Sequence, residues 1–84
     1  MNRNDIQYKN RHIEKYAEIG RNIAYYRKKK NLSQEGLADI VGISRQHMGA
    51  IEATNVNRKI SMDLFFDFAN ALEVEPEQLL NIKI

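Results

Sequence analysis

The chain's only proline, Pro76, stands near its end, and runs of alternating apolar and polar residues are missing; apolar residues instead recur three and four positions apart along most of its length. That spacing lines one face of a 3.6-residue helix, whereas a strand would bury every second side chain. The remaining breakers, Gly20, Gly36, Gly42 and Gly49, interrupt helical segments without forbidding them. The expected architecture is therefore all-α, a compact bundle of four to five helices joined by short loops. Its 84 residues suit one core, with roughly 60 to 65% of the unfolded surface buried. We assign the folded domain to 13–84 and a polar N-terminal extension to 1–12.

Local signals divide the bundle. From Ile13 to Lys30 the apolar positions Ile13, Tyr16, Ala17, Ile19, Ile23 and Tyr26 share a face, and Lys28, Lys29 and Lys30 meet the negative end of the helix dipole. Asn31 is a stop signal, and Leu32 ties the following loop to the core. Ser33 is an N-cap for a short second helix with Leu37, Ala38 and Val41 facing inward. Gly42 ends that helix, Ser44 caps a third, and Met48 and Ile51 repeat the inward spacing. Ser61 caps a fourth helix carrying Leu64, Phe65, Phe68, Ala69 and Leu72. Glu75 and Pro76 open a last short one with Leu79 and Leu80.

Composition removes whole classes of function. Cysteine is absent, and His12 and His47 have no ligand spacing with the carboxylates, so neither a disulfide framework nor a metal or cofactor is expected. No apolar run approaches the ~20 residues that span a bilayer. The first five residues lack the apolar stretch of a signal peptide, and the expected location is the cytoplasm. An enzyme finds no support: no nucleophile stands with a base and an orienting acid, no glycine loop cradles phosphate, and Glu73, Glu75 and Glu77 read as a solvated acidic end.

The net charge of +2 conceals a gradient: residues 1–30 hold 9 Lys/Arg against 3 acids, and residues 61–84 hold 1 against 5. A basic face on a small domain suits a polyanion through counterion release and steering, although charge runs also serve simply as solvated surface.

The most informative spacing is Gln34-x3-Ala38-x3-Gly42-x5-Met48-x2-Ile51. Ala38 is small where two short helices must cross, and Gly42 allows a left-handed turn residue. Leu37, Val41, Ile43, Met48 and Ile51 fill the space behind the pair, so the third helix, 44–53, stands proud with its N-terminus exposed. This 34–53 pattern, together with Leu32-Ser33-Gln34-Glu35, Val41-Gly42-Ile43-Ser44 and Ile51-Glu52, resembles the lambda and 434 repressor and Cro-like helix-turn-helix regulators of the XRE family. The resemblance covers about residues 19 to 80.

That resemblance implies sequence-specific binding of double-stranded DNA, a transcriptional regulator and expected repressor that lays helix 44–53 in the major groove. Ser44, Arg45, Gln46 and Ala50 fall where such proteins read bases. Arg suits guanine O6 and N7, and Gln suits adenine N6 and N7. Gln34 falls at a phosphate-contacting position that also steadies a reading side chain, and Arg58, Lys59 and His47 complete the backbone contacts. Lys28, Lys29 and Lys30 serve either phosphate or helix solubility. Independently of the family, the outward face of the third helix, from Ser44 to Ala53, contains no acid, while Gly49 and Ala50 would allow close approach to a groove. Glu52 is unfavourable at a helix C-terminus. The family pattern implies that it pairs with Arg27.

One reading helix covers few base pairs, so a homodimer on a palindromic operator is expected. Phe66 and the Ile82 and Ile84 tail either form the self-contact or cap the monomer's own core. The first dozen residues extend helix one, reach DNA as an arm, or join a dimer contact. Tyr8, Tyr16, Tyr25 and Tyr26 are compatible with stacking on single strands, but Phe65, Phe68 and Tyr26 read as core and Tyr25 as exposed. The competing reading is an antitoxin-type module that uses the same fold to hold a toxin or other protein partner. The acid-free third helix with Arg45 and Gln46 favours DNA.

Overall fold

A computed structural model of the protein describes residues 11–53 and 58–81. Most of the polar extension, residues 54–57 and the Ile82 and Ile84 tail therefore lie outside the described residues. The elements run α1 (Ile13–Lys29), α2 (Gln34–Val41), α3 (Arg45–Glu52), α4 (Met62–Leu72) and a 3-10 helix (Pro76–Leu79). Among the described residues there is no strand.

Each helix boundary follows from local chemistry. Ser33, Ser44 and Ser61 each accept a hydrogen bond on the side chain from the backbone N–H three residues on, at 2.9, 2.9 and 3.1 Å. Each bond satisfies a donor that the first turn leaves without a partner, stabilising its helix by about 1 kcal/mol. After α1, α2 and α4 the chain turns left-handed, whereas α3 ends on extended Ala53. Asn31 has φ 60°, Gly42 φ 80° and Glu73 φ 59°, and Gly42 N–H reaches back to the Ala38 carbonyl at 2.8 Å.

Five side chains are wholly excluded from solvent: Ile23 from α1, Leu37 from α2, Met48 from α3, Phe68 from α4 and Leu79 from the 3-10 helix. Every element thus contributes one, and each burial stabilises the fold by about 1.5 to 3 kcal/mol. On α4, Phe65, Phe68, Ala69 and Leu72 form the inward stripe at helical spacing. The apolar C-terminal set divides cleanly. Phe65 and Leu79 are core, while Phe66 and Leu80 remain 45% and 53% exposed.

Two features go beyond the sequence-based expectations. Gly20 is buried where α1 crosses α3, and a Cβ there would collide with the Ile51 carbonyl oxygen. A close backbone approach thus occurs at the α1–α3 crossing through Gly20, and Ala38 on α2 is itself fully buried. Asn22 is a buried polar residue on the inner face of α1; its amide donates to the Leu79 carbonyl at 2.9 Å and also to that of Asn81. It clamps the end of the described chain to the first helix and satisfies carbonyls that a four-residue 3-10 helix leaves unpaired. That last element is too short for a ladder of i to i−4 bonds, and its amides bond three residues back instead: Gln78 to Glu75 at 2.9 Å and Leu80 to Glu77 at 3.1 Å.

Candidate nucleic-acid interface

The positioning of α3 begins at its buried end. Glu52 has a carboxylate only 6% exposed and Arg27 a side chain 10% exposed. Arg27 Nε donates to Glu52 Oε2 at 2.7 Å, and Nη2 donates to Oε1 at 3.0 Å, a bidentate pair. The third guanidinium nitrogen, Nη1, donates to the Leu32 carbonyl at 2.7 Å. One side chain of α1 therefore fastens both the end of α3 and the loop entering α2. The guanidinium also neutralises the carboxylate that stands at the negative end of α3.

Glu52 has another partner. Gln34 Nε2 donates to Glu52 Oε1 at 2.9 Å. The amide nitrogen is thus committed inward, and the carboxamide oxygen is turned toward α3, 3.7 Å from where a Cβ on Gly49 would stand. Arg45 reaches the same spot, with Nη1 3.2 Å from that point. Gln34, Arg45, Gly49 and Glu52 converge on one side of α3, and Arg27 secures them from behind. The Gln34 to Glu52 bond and the Gly49 floor had no signal in helical periodicity, because both join residues of different helices or depend on a missing side chain.

The N-terminal turn of α3 is the exposed end. Ser44, Arg45 and Gln46 are exposed, His47, Gly49 and Ala50 are half-buried, and the first turn contains no acid. Ser44 uses its oxygen as the cap acceptor from His47 N–H at 2.9 Å, leaving its hydroxyl proton free to donate. The positive end of the α3 dipole, an arginine and two neutral donors share this turn, an arrangement suited to an anionic, hydrogen-bonding surface. Arg58 and Lys59 are exposed in the coil that leads to buried Ile60. Among the described residues they share no hydrogen bond with the Gln34 group. Lys30 is engaged elsewhere, 2.7 Å from Glu73 Oε1, and Lys29 lies 5.5 Å above the Tyr25 ring. The Lys30 ammonium holds the Glu73 carboxyl below its ordinary range, first through the hydrogen bond and then through its charge. No group of three or more metal-ligating side chains occurs among the described residues.

A helix-turn-helix family model matches residues 23–79. The control protein C.SmaI of Serratia marcescens is 34% identical over 62 residues, covering 74% of this chain and 71% of that protein. Among solved structures, the restriction-modification controller protein C.AhdI of Aeromonas hydrophila superposes with a TM-score of 0.73 at 32% identity. That match covers 81% of this chain and 96% of C.AhdI. A hypothetical transcription factor, NHTF from Neisseria, gives 0.75 at 30% identity over 82% of this chain and 75% of its own. The chain belongs to the helix-turn-helix family of Cro/C1-type regulators, and its function is DNA-binding transcriptional regulation.

Proposed function

We propose that this protein represses transcription by binding a palindromic operator as a homodimer, with α3 of each protomer in the major groove. The observation that carries the proposal is the exposed, acid-free first turn of α3, held from behind by the Arg27, Glu52 and Gln34 chain of hydrogen bonds. Arg45 and Gln46 read base edges, with Ser44 and Ala50 beside them. Gln34, His47, Arg58 and Lys59 meet the phosphates, fixing register without reading sequence. Binding is the whole activity; no chemistry is performed on the DNA. Occupancy is sufficient for repression, since a dimer lying across a promoter excludes polymerase. The likeness to two control proteins, one a controller of restriction and modification, supports a role in controlling such genes. The site of action is the cytoplasm, where the operator is. Among the described residues no helix is long and apolar enough to cross a membrane.

Dimerisation is supported by the apolar side chains that the core leaves exposed. Met62 and Phe66 are 61% and 45% exposed and lie one turn apart on α4, and Met62 shares a groove with Leu80. In the proposed dimer a second copy covers this patch about a two-fold axis, and binding one face of the duplex requires its two α3 helices to lie one helical repeat, about 34 Å, apart.

Selection of bound duplexes from a random pool tests the reading. Enrichment of a palindrome with half-sites about one helical turn apart is the expected outcome. Recovery of no sequence above nonspecific binding would replace it with the protein-partner reading.

A further inference from the structure

Two of the four glycines have backbone reasons in the fold: Gly20 makes room for the α3 backbone and Gly42 takes a left-handed conformation, while Gly36 meets only the Ser33 cap and the Leu32 side chain. Gly49 does not fit this account. It stands inside an eight-residue helix, where glycine is the weakest residue after proline, and no backbone atom approaches the place its Cβ would occupy. The atoms that do approach are the Arg45 Nη1 at 3.2 Å and the Gln34 Oε1 at 3.7 Å, both at the ends of flexible side chains. What the missing side chain provides is a floor on which the Arg45 guanidinium lies along α3, one turn from its own Cα.

We propose that Gly49 is a specificity-determining residue: it sets the direction of the Arg45 guanidinium and thereby which base Arg45 recognises. This rests on Arg45 reading a base, as argued above. Bidentate recognition of guanine requires the guanidinium plane and its two donors in a fixed orientation. The floor at Gly49 bounds the side chain from below. Gln34 bounds it at the side, with its carboxamide locked by the 2.9 Å bond to Glu52 so that an acceptor oxygen faces that space. A methyl group at position 49 stands closer to Nη1 than ordinary van der Waals contact, so the guanidinium must shift by a few tenths of an ångström, enough to tilt its two donors. The α3 backbone need not move. The substitution therefore alters the pose of one reading side chain while leaving the fold and the phosphate contacts in place.

The test compares wild type, Gly49→Ala, Arg45→Ala and the double variant, with circular dichroism melts as the control for folding. Dissociation constants are measured at physiological salt on the selected operator, on its single-base variants and on random DNA. For Gly49→Ala we expect a melt at or above that of wild type and a loss on random DNA smaller than the loss on the operator. At the one base position where Arg45→Ala also loses discrimination, we expect a loss of about tenfold. The double variant should discriminate no worse than Arg45→Ala alone. Retained discrimination in Gly49→Ala would overturn the inference. So would an equal loss on all sequences, or a loss that adds to that of Arg45→Ala. If Arg45→Ala by itself loses no discrimination anywhere, base reading by Arg45 is wrong and the inference falls with it, a failure visible in that variant alone.

Discussion

Replacing Glu52 by alanine probes the link that holds α3. The substitution removes two of the three acceptors of the Arg27 guanidinium and the only hydrogen-bond partner of the Gln34 side-chain amide among the described residues, leaving a cation whose side chain is 10% exposed. Breaking a buried pair in this way costs about 3 to 5 kcal/mol, because the remaining charge stays desolvated without compensation. Arg27 keeps its bond to the Leu32 carbonyl at 2.7 Å, so the lower end, about 3 kcal/mol, applies. A domain of this length is stable by roughly 4 to 13 kcal/mol, so the loss is a large share of the total. It corresponds to a fall in Tm of roughly 12 to 24 °C. Urea and thermal unfolding followed by circular dichroism read both quantities. The effect should persist at ~1 M salt, since buried pairs are screened far less than exposed ones. Replacing the pair together, Arg27→Met with Glu52→Leu, should be less destabilising than Glu52→Ala alone. A loss below about 1 kcal/mol for Glu52→Ala, or one abolished by salt, would show a solvated surface pair and refute the reasoning.

Gly20→Ala should lower unfolding free energy by about 1 to 3 kcal/mol, because its methyl group meets the Ile51 backbone, which has no flexible end to move aside. Asn22→Ala should destabilise by about 1 to 3 kcal/mol, since the Leu79 and Asn81 carbonyls lose their donor, and hydrogen exchange should quicken first in the 3-10 helix. Glu73 has a lowered folded-state pKa, so its link to Lys30 stabilises above the ordinary carboxylate value of 4.5 and is lost as pH falls through the lowered one. Lys30→Ala should therefore differ slightly from wild type at neutral pH and merge with it in acid, by denaturant titration at low salt. Lys59→Ala should weaken binding to all duplexes alike and reduce the magnitude of the salt slope by about 0.9, measured by fluorescence anisotropy.

The fold was readable where it depends on neighbours in the chain. Serine caps, the left-handed turns at Asn31 and Gly42 and the three-and-four spacing of Phe65, Phe68 and Leu72 are local properties, and the helices α1 to α4 follow from them. The Arg27 and Glu52 positions were reached by likeness to a family, since no local rule joins residues 25 apart. Features made by two helices meeting were harder to see. Asn22 offered a signal in retrospect, a carboxamide on the same face as Ile19, Ile23 and Tyr26, where a buried polar group requires a partner. Gly20 is only a helix breaker by local rules, and its reason lies in the crossing with α3. Helical spacing placed Phe65 in the core and left Phe66 as a candidate for the self-contact, but Leu79 and Leu80, adjacent in a short element, had no such pattern to divide them. Only the direction of each side chain from its element divides exposed from buried.

Base reading by Arg45 requires α3 in the major groove, and methylation interference on the selected operator measures that contact. Dimethyl sulfate places a methyl group on guanine N7 in the major groove and on adenine N3 in the minor groove. We expect binding to be blocked by N7 methylation at a guanine in each half-site, with that block weakened in Arg45→Ala. Interference confined to adenine N3, or the same guanine pattern in Arg45→Ala and wild type, would contradict the assignment of Arg45 and α3 to the major groove.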